Sequence, residues 1–146
     1  MKIRMSLLLL GAFALAGCGW MPHFGKKKSE APVQQTLMKS LAGEVDYTLT
    51  HPIPADAYLE VTLADVSKQD APARVIATDR IAPIGQSPVD FVLTYEPSDL
   101  ADGVDFAVSA RIKQGDRTLA LSDTQVSVLG RSGNDGPVRV VIAEIH

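Results

Sequence analysis

From Leu41 onward, apolar residues recur at every second position in short runs cut by proline and glycine. No segment of that stretch sustains a 3.6-residue repeat. Only extended chain sends alternate side chains to one face, so the pattern demands strands. Leu41, Gly43, Val45, Tyr47 and Leu49 share one parity, until His51-Pro52-Ile53-Pro54 removes two ladder donors. Leu59, Val61 and Leu63 form the next set, and Asp70-Ala71-Pro72 turns the chain into a weaker alternation from Arg74 to Ile81. Pro83, Gly85 and Pro88 mark a loop before Val89, Phe91, Leu93 and Tyr95. Pro97 to Leu100 reads as a turn or a single helical turn. Val104, Phe106, Val108, Ala110 and Ile112 then lead into Gly115-Asp116, a pair suited to a tight hairpin.

Beyond that hairpin the parity changes. Leu119 and Leu121 occupy odd positions, while Val126 and Val128 occupy even ones. A strand cannot exchange faces without an extra residue, which places a bulge or break near Ser122-Asp123-Thr124. Gly130 to Pro137 is a long turn, and Val138, Val140 and Ile142 make the last strand. The expected fold is all-β: an antiparallel β-sandwich of seven to eight strands over residues 41–146. About 105 residues suffice to close such a core without disulfides.

The N-terminal part is of another kind. Lys2 and Arg4 precede the apolar run Ser6 to Leu15. Ten residues at 1.5 Å rise reach roughly 15 Å, half of a bilayer core, so residues 1–17 read as a secretory signal and not as a membrane span. Leu15-Ala16-Gly17-Cys18 resembles the bacterial lipobox, in which the thiol becomes the attachment point for diacylglycerol. Cleavage after Ala16 by an ordinary signal peptidase also fits the small residues. It would leave an unpaired thiol on an exported chain. Cys18 is the one cysteine, which excludes an internal disulfide and a cysteine-rich zinc site. Two or more acyl chains anchor stably, at about 0.8 kcal/mol per buried CH₂. By the sorting rule of enteric bacteria, Gly19 after the cysteine favours the outer membrane.

Residues 18–40 form a tether without strand or helix period, spanning roughly 25 Å as a flexible coil. Its Lys26-Lys27-Lys28 run serves as a solvated spacer or as a contact to anionic headgroups. With Lys39 against Glu30 the tether carries +3. From Leu41 onward, 8 basic and 16 acidic residues give −8. An acidic domain excludes nucleic acid as a partner.

No group of residues points to catalysis. His23, His51 and His146 have no paired spacing for a metal, and His51 is the only candidate base for a hydrolytic triad. Gly130 to Gly136 lacks the closing Gly-Lys-Ser/Thr of a phosphate loop and the downstream Glu of a calcium loop. Asp99 and Asp102 share a loop without aromatic platforms for a sugar. The expectation is a protein with no enzymatic activity, metal or cofactor.

Several segments, taken in order, carry a resemblance: Gly43 to Tyr47, Leu59 to Ser67, Asp70 to Ala73, Gly85 to Pro88, Phe106 to Ile112 and Ser122 to Thr124. Together, from about Gly43 to Val141, they resemble the YbaY/YscW family of bacterial lipoproteins, which includes pilotins of type III secretion. The resemblance implies a β-sandwich, no catalytic residues, and escort of an envelope partner such as a secretin. Arg111 and Asp123 lie across the Gly115-Asp116 hairpin as a candidate surface ion pair. The expected protein is therefore an outer-membrane lipoprotein, held by lipid on Cys18, whose periplasmic domain binds a partner at a sheet edge or in a groove. The alternative is a structural or glycan-associated envelope lipoprotein without a protein client, for which the available aromatics are Tyr47, Tyr58, Phe91, Tyr95 and Phe106.

Overall fold

Eight strands follow one another: β1 (Lys39–Tyr47), β2 (Tyr58–Asp65), β3 (Arg74–Ile81), β4 (Val89–Tyr95), β5 (Phe106–Gln114), β6 (Arg117–Ser122), β7 (Val126–Val128) and β8 (Val138–Glu144). These come from a computed structural model that describes residues 37–144. The signal segment, Leu15-Ala16-Gly17-Cys18 and all but the last residues of the tether lie outside the described residues. Short 3₁₀ turns occupy Pro97–Leu100, where the single helical turn is expected, and Gly130–Ser132. Among the described residues the all-β expectation holds, with eight strands.

The strands form one continuous sheet in the order β3-β2-β5-β6-β8-β1-β4, with β7 added to β5. The sheet curls until its two end strands, β3 and β4, lie side by side, giving a nearly closed, barrel-like body. The Asp79 carboxylate on β3 accepts the Val92 N–H of β4 at 3.1 Å, so a side chain spans the seam where a strand ladder would otherwise stand. Inward residues of both halves share one core, including Leu41, Val45, Leu59, Val61, Leu63, Phe91, Val108, Ile112, Val128 and Val140. Full burial of each such side chain stabilises by about 1.5–3 kcal/mol.

All pairings are antiparallel except β1 with β8, which run parallel from Gly43↔Val138 to Tyr47↔Ile142. Alternation records faces and not direction, so this parallel insertion is invisible in the sequence. Gly43 sits at the contact. A Cβ there would lie 2.1 Å from the Val138 carbonyl oxygen and 2.6 Å from the Phe91 ring.

The parity change is real, but its extra residue lies earlier than expected. Ile112 pairs with Ala120 and Lys113 with Thr118, which leaves Leu119 as the bulge. Ala120 and Ser122 therefore face the core, and Leu121 is 44% exposed. The expected break also exists: β6 ends at Ser122, and β7 rejoins β5 at Val126↔Val108. Across that gap the Ser122 hydroxyl accepts the Ala110 N–H at 3.2 Å, filling a place the ladder has vacated. Val104, expected to face inward, is 48% exposed because β5 begins only at Phe106.

Candidate binding clefts

Register fixes two poles. At one lie the end of β1 (Tyr47), the starts of β2 (Tyr58) and β4 (Val89), the β5–β6 hairpin and the end of β8 (Glu144). At the other lie Lys39, Asp65, Arg74, Tyr95, Phe106 and Val128, together with the point where the described chain begins. The first pole carries the two larger clefts, and the second, the entry pole, has cavities of about 300 Å³ beside Phe106, Val128 and Arg131 and about 290 Å³ beside Asp65, Lys68 and Arg74.

The cleft pole is shaped by the β1–β2 connection, residues 48–57. Pro52 and Pro54 lack N–H groups, so this segment leaves the ladder and arches over the end of the sheet. It closes in a turn from the Ala57 N–H to the Pro54 carbonyl at 3.0 Å. Leu49 and Ile53 drop from the arch onto the core. The arch is fastened by Glu144 at the end of β8. Thr50 donates its N–H to Glu144 Oε2 at 2.9 Å and its hydroxyl to the same oxygen, and His51 Nδ1 lies 2.6 Å from Oε1. The Thr50 hydroxyl, then His51 and the Thr50 amide, hold the Glu144 carboxyl down to about 2. The His51 side chain is 82% exposed against 17% for Glu144, so the histidine caps the clasp from the solvent side.

A cleft opens on each flank of the arch. One, of about 410 Å³, is lined by Tyr47, Leu49, Ile53, Ala57, Ile84 and Gly85. Its far wall is pinned by the Tyr47 hydroxyl, which donates to the Gly85 carbonyl at 2.5 Å, and by the Tyr47 N–H, which donates to Ser87 Oγ at 2.9 Å. The other, of about 470 Å³, has Leu49, Ile53 and Leu119 as its apolar floor and Gln114, Arg117 and Thr118 as its opposite wall. Gln114 Nε2 donates to Asp56 Oδ1 at 2.7 Å, joining the hairpin to the arch. Both volumes are of the size that takes one or two large side chains of a bound segment.

The entry pole is built differently. The Ser67 hydroxyl accepts the N–H groups of Val104 and Asp105, at 2.9 and 3.1 Å, and donates to Asp65. That hydroxyl bond, with the Ser67 N–H and the Arg74 charge, holds the Asp65 carboxyl below its usual value. The three loops there carry Asp70, Glu96, Asp99, Asp102, Asp105 and Asp135 against Lys68 and Arg131. The loops of the cleft pole carry only Asp56 and Asp116.

Of the residues singled out in the sequence, Cys18, Leu15, Ala16 and Gly17 fall outside the described residues. Arg111 pairs with Glu60 at 3.4 Å and not with Asp123, because Glu60 stands directly opposite it on β2. Asp123 instead lies in the bend that follows β6. The glycine-rich stretch at residues 130–136 is an inter-strand turn, closed by a bridge between Leu129 and Asn134. Among the described residues, no three His, Cys, Asp or Glu side chains converge as a metal site. His51 reads as an isolated turn histidine in the sequence. Its partner Glu144 is 93 residues away, and no local spacing announces the pair.

Residues 36–140 match the family described as type III secretion system lipoprotein chaperone (YscW). The chain is 30% identical over 148 residues to the uncharacterized lipoprotein YbaY of Escherichia coli K12, covering 95% of this chain and 78% of that protein. Among solved structures it is similar to an alternative pilotin from the type II secretion system of Vibrio cholerae. That likeness has a TM-score of 0.65 and 31% identity, and covers 75% of this chain and 98% of that one. This chain belongs to the YscW family of lipoprotein chaperones.

Proposed function

We propose that this protein is an outer-membrane lipoprotein, anchored through lipid on Cys18, whose periplasmic domain acts without catalysis as a pilotin-like chaperone. Its client is an envelope protein of the secretin class, and a segment of that client seats at the cleft pole. The observation that carries this reading is the likeness to a pilotin over 98% of that protein's chain at 31% identity. The cleft pole supports it with apolar floors rimmed by hydrogen-bonding groups, an arrangement suited to side chains of a bound segment. The anchor rests on Leu15-Ala16-Gly17-Cys18, and the outer-membrane address on Gly19. The glycan-associated alternative loses ground because Tyr58, Phe91, Tyr95 and Phe106 are buried, which leaves Tyr47 as the one partly exposed aromatic among those weighed.

The test is complementation of a deletion strain, with membranes fractionated and secretin multimers followed by immunoblot. Wild type is expected to restore multimers to the outer membrane. Cys18→Ala is expected to leave them in the inner membrane, and Leu119→Arg, which places a cation over the floor of the larger cleft, to lower recovery about tenfold, equivalent to about 1.4 kcal/mol of binding. Full recovery by both variants overturns the reading.

A further inference from the structure

The cations of the domain are unevenly engaged. Of the eight from Leu41 onward, Arg74, Arg111, Arg131 and Arg139 each stand against a carboxylate. Among the described residues, Lys68, Arg80, Lys113 and Arg117 have no such partner. Three of these four gather at the cleft pole. Register sets Lys113 opposite Tyr58 and Arg117 opposite Gln114. The Arg80 guanidinium lies 3.7 Å from the centre of the Tyr58 ring, and Lys113 Nζ lies 5.9 Å from it. Arg117 stands in the wall of the larger cleft. Lys113, one residue beyond the buried Ile112, points to the outer face of the sheet, where Arg80 carries the positive charge on to β3.

The neighbouring carboxylates are already taken. Glu144, in the same cleft, holds Thr50 and His51; Asp56 accepts from Gln114; Glu60 pairs with Arg111. Asp116, at the hairpin tip, forms no ion pair with any of the three cations. The larger cleft thus sets an apolar floor of Leu49, Ile53 and Leu119 beside positive charge without a counter-charge. The smaller cleft of the arch has no Asp, Glu, Lys or Arg in its lining. At the entry pole, Arg131 and Arg74 are engaged by Asp105 and Asp65, and Lys68 shares its cavity with Asp65 and Asp102.

We propose that the larger cleft selects an acidic client segment, seating an apolar side chain on Leu49, Ile53 and Leu119 while flanking carboxylates pair with Arg117, Lys113 and Arg80. This rests on the reading that a client segment seats at the cleft pole, and it gives that segment its chemistry. The domain as a whole carries −8 and repels such a segment elsewhere, so the one cationic rim also fixes where it lands.

The test measures binding of short fluorescent peptides to the full-length protein by polarisation. The peptides share a central pair of leucines and differ in flanks of glutamate, glutamine or lysine. The glutamate peptide is expected to bind about tenfold more tightly than the glutamine peptide, and the lysine peptide most weakly, with the difference shrinking at 1 M salt, where screening acts within about 3 Å. Arg117→Gln is expected to remove most of this preference and Arg117→Glu to reverse it. Lys68→Glu, the same change of charge at the other pole, should leave the order intact. Leu119→Arg should weaken all three peptides, because it removes the apolar seat. Equal binding of the three peptides to wild type, or an unchanged order in Arg117→Glu, overturns the acidic preference; if Leu119→Arg still weakens binding, the cleft reading stands without it. If no peptide binds, or Leu119→Arg has no effect, seating in this cleft falls and the preference with it.

Discussion

Glu144 fastens the cleft pole because one carboxylate secures two consecutive residues of the arch. Its pH dependence has a definite sign. The folded carboxyl is held at about 2, below its ordinary value of 4.5. Its stabilising contribution is therefore complete above the ordinary value and is lost as the pH falls toward 2. Thermal melts of the wild type are expected to decline across that window, and Glu144→Gln should flatten the decline. An identical acid limb in both proteins would contradict this role. At this scale the sequence is least informative. Leu49 and Ile53 are legible as apolar, but Thr50, His51 and Glu144 meet only after the whole sheet has closed. Arg111 makes the same point: a hairpin reading offers Asp123, whereas register across a different pair of strands supplies Glu60.

Among the elements, β6 and β7 are a strand interrupted for a reason. The Leu119 bulge turns Ala120 and Ser122 inward, and the bend at residues 123–125 lets the chain return to β5 three residues later. Ser122 makes the interruption tolerable by accepting the orphaned Ala110 N–H. Ser122→Ala is expected to leave that buried donor without a partner and to cost about 1–3 kcal/mol, read as a lower denaturation midpoint with unchanged m-value. A midpoint equal to wild type would show that water replaces the hydroxyl there. The alternation of Val89, Phe91, Leu93 and Tyr95 gives β4 its bounds from sequence, since one face is fully buried and the other fully wet. Shifted parity betrays that a bulge exists between Leu119 and Val126, but not where. Leucines on both faces of β6 carry no signal that distinguishes Leu119 as the extra residue from Leu121 as an exposed one.

For the whole molecule, closure of the sheet is the governing event. The seam between β3 and β4 is bridged by Asp79, so the free edges are covered without a complete ladder. Asp79→Ala is expected to weaken closure by about 1 kcal/mol and so speed amide exchange at Val92 about fivefold, while Asp79→Asn, which keeps an acceptor, stays near wild type. Exchange rates equal in all three proteins would remove Asp79 from that role. Alternation gives seven to eight strands and most of their inward residues, Val104 and Leu121 excepted. The order in which they lie side by side, and the parallel entry of β8, depend on contacts about 95 residues apart that no local pattern encodes. That last pairing also sets a clock. A chain emerging N-terminus first can form β2–β3 and β5–β6 early, but β1 lacks its second neighbour until β8 arrives. Such distant pairing is slow. The barrel-like body thus stays open along β1 until β8 has been delivered, so its closure waits on a strand about 95 residues downstream.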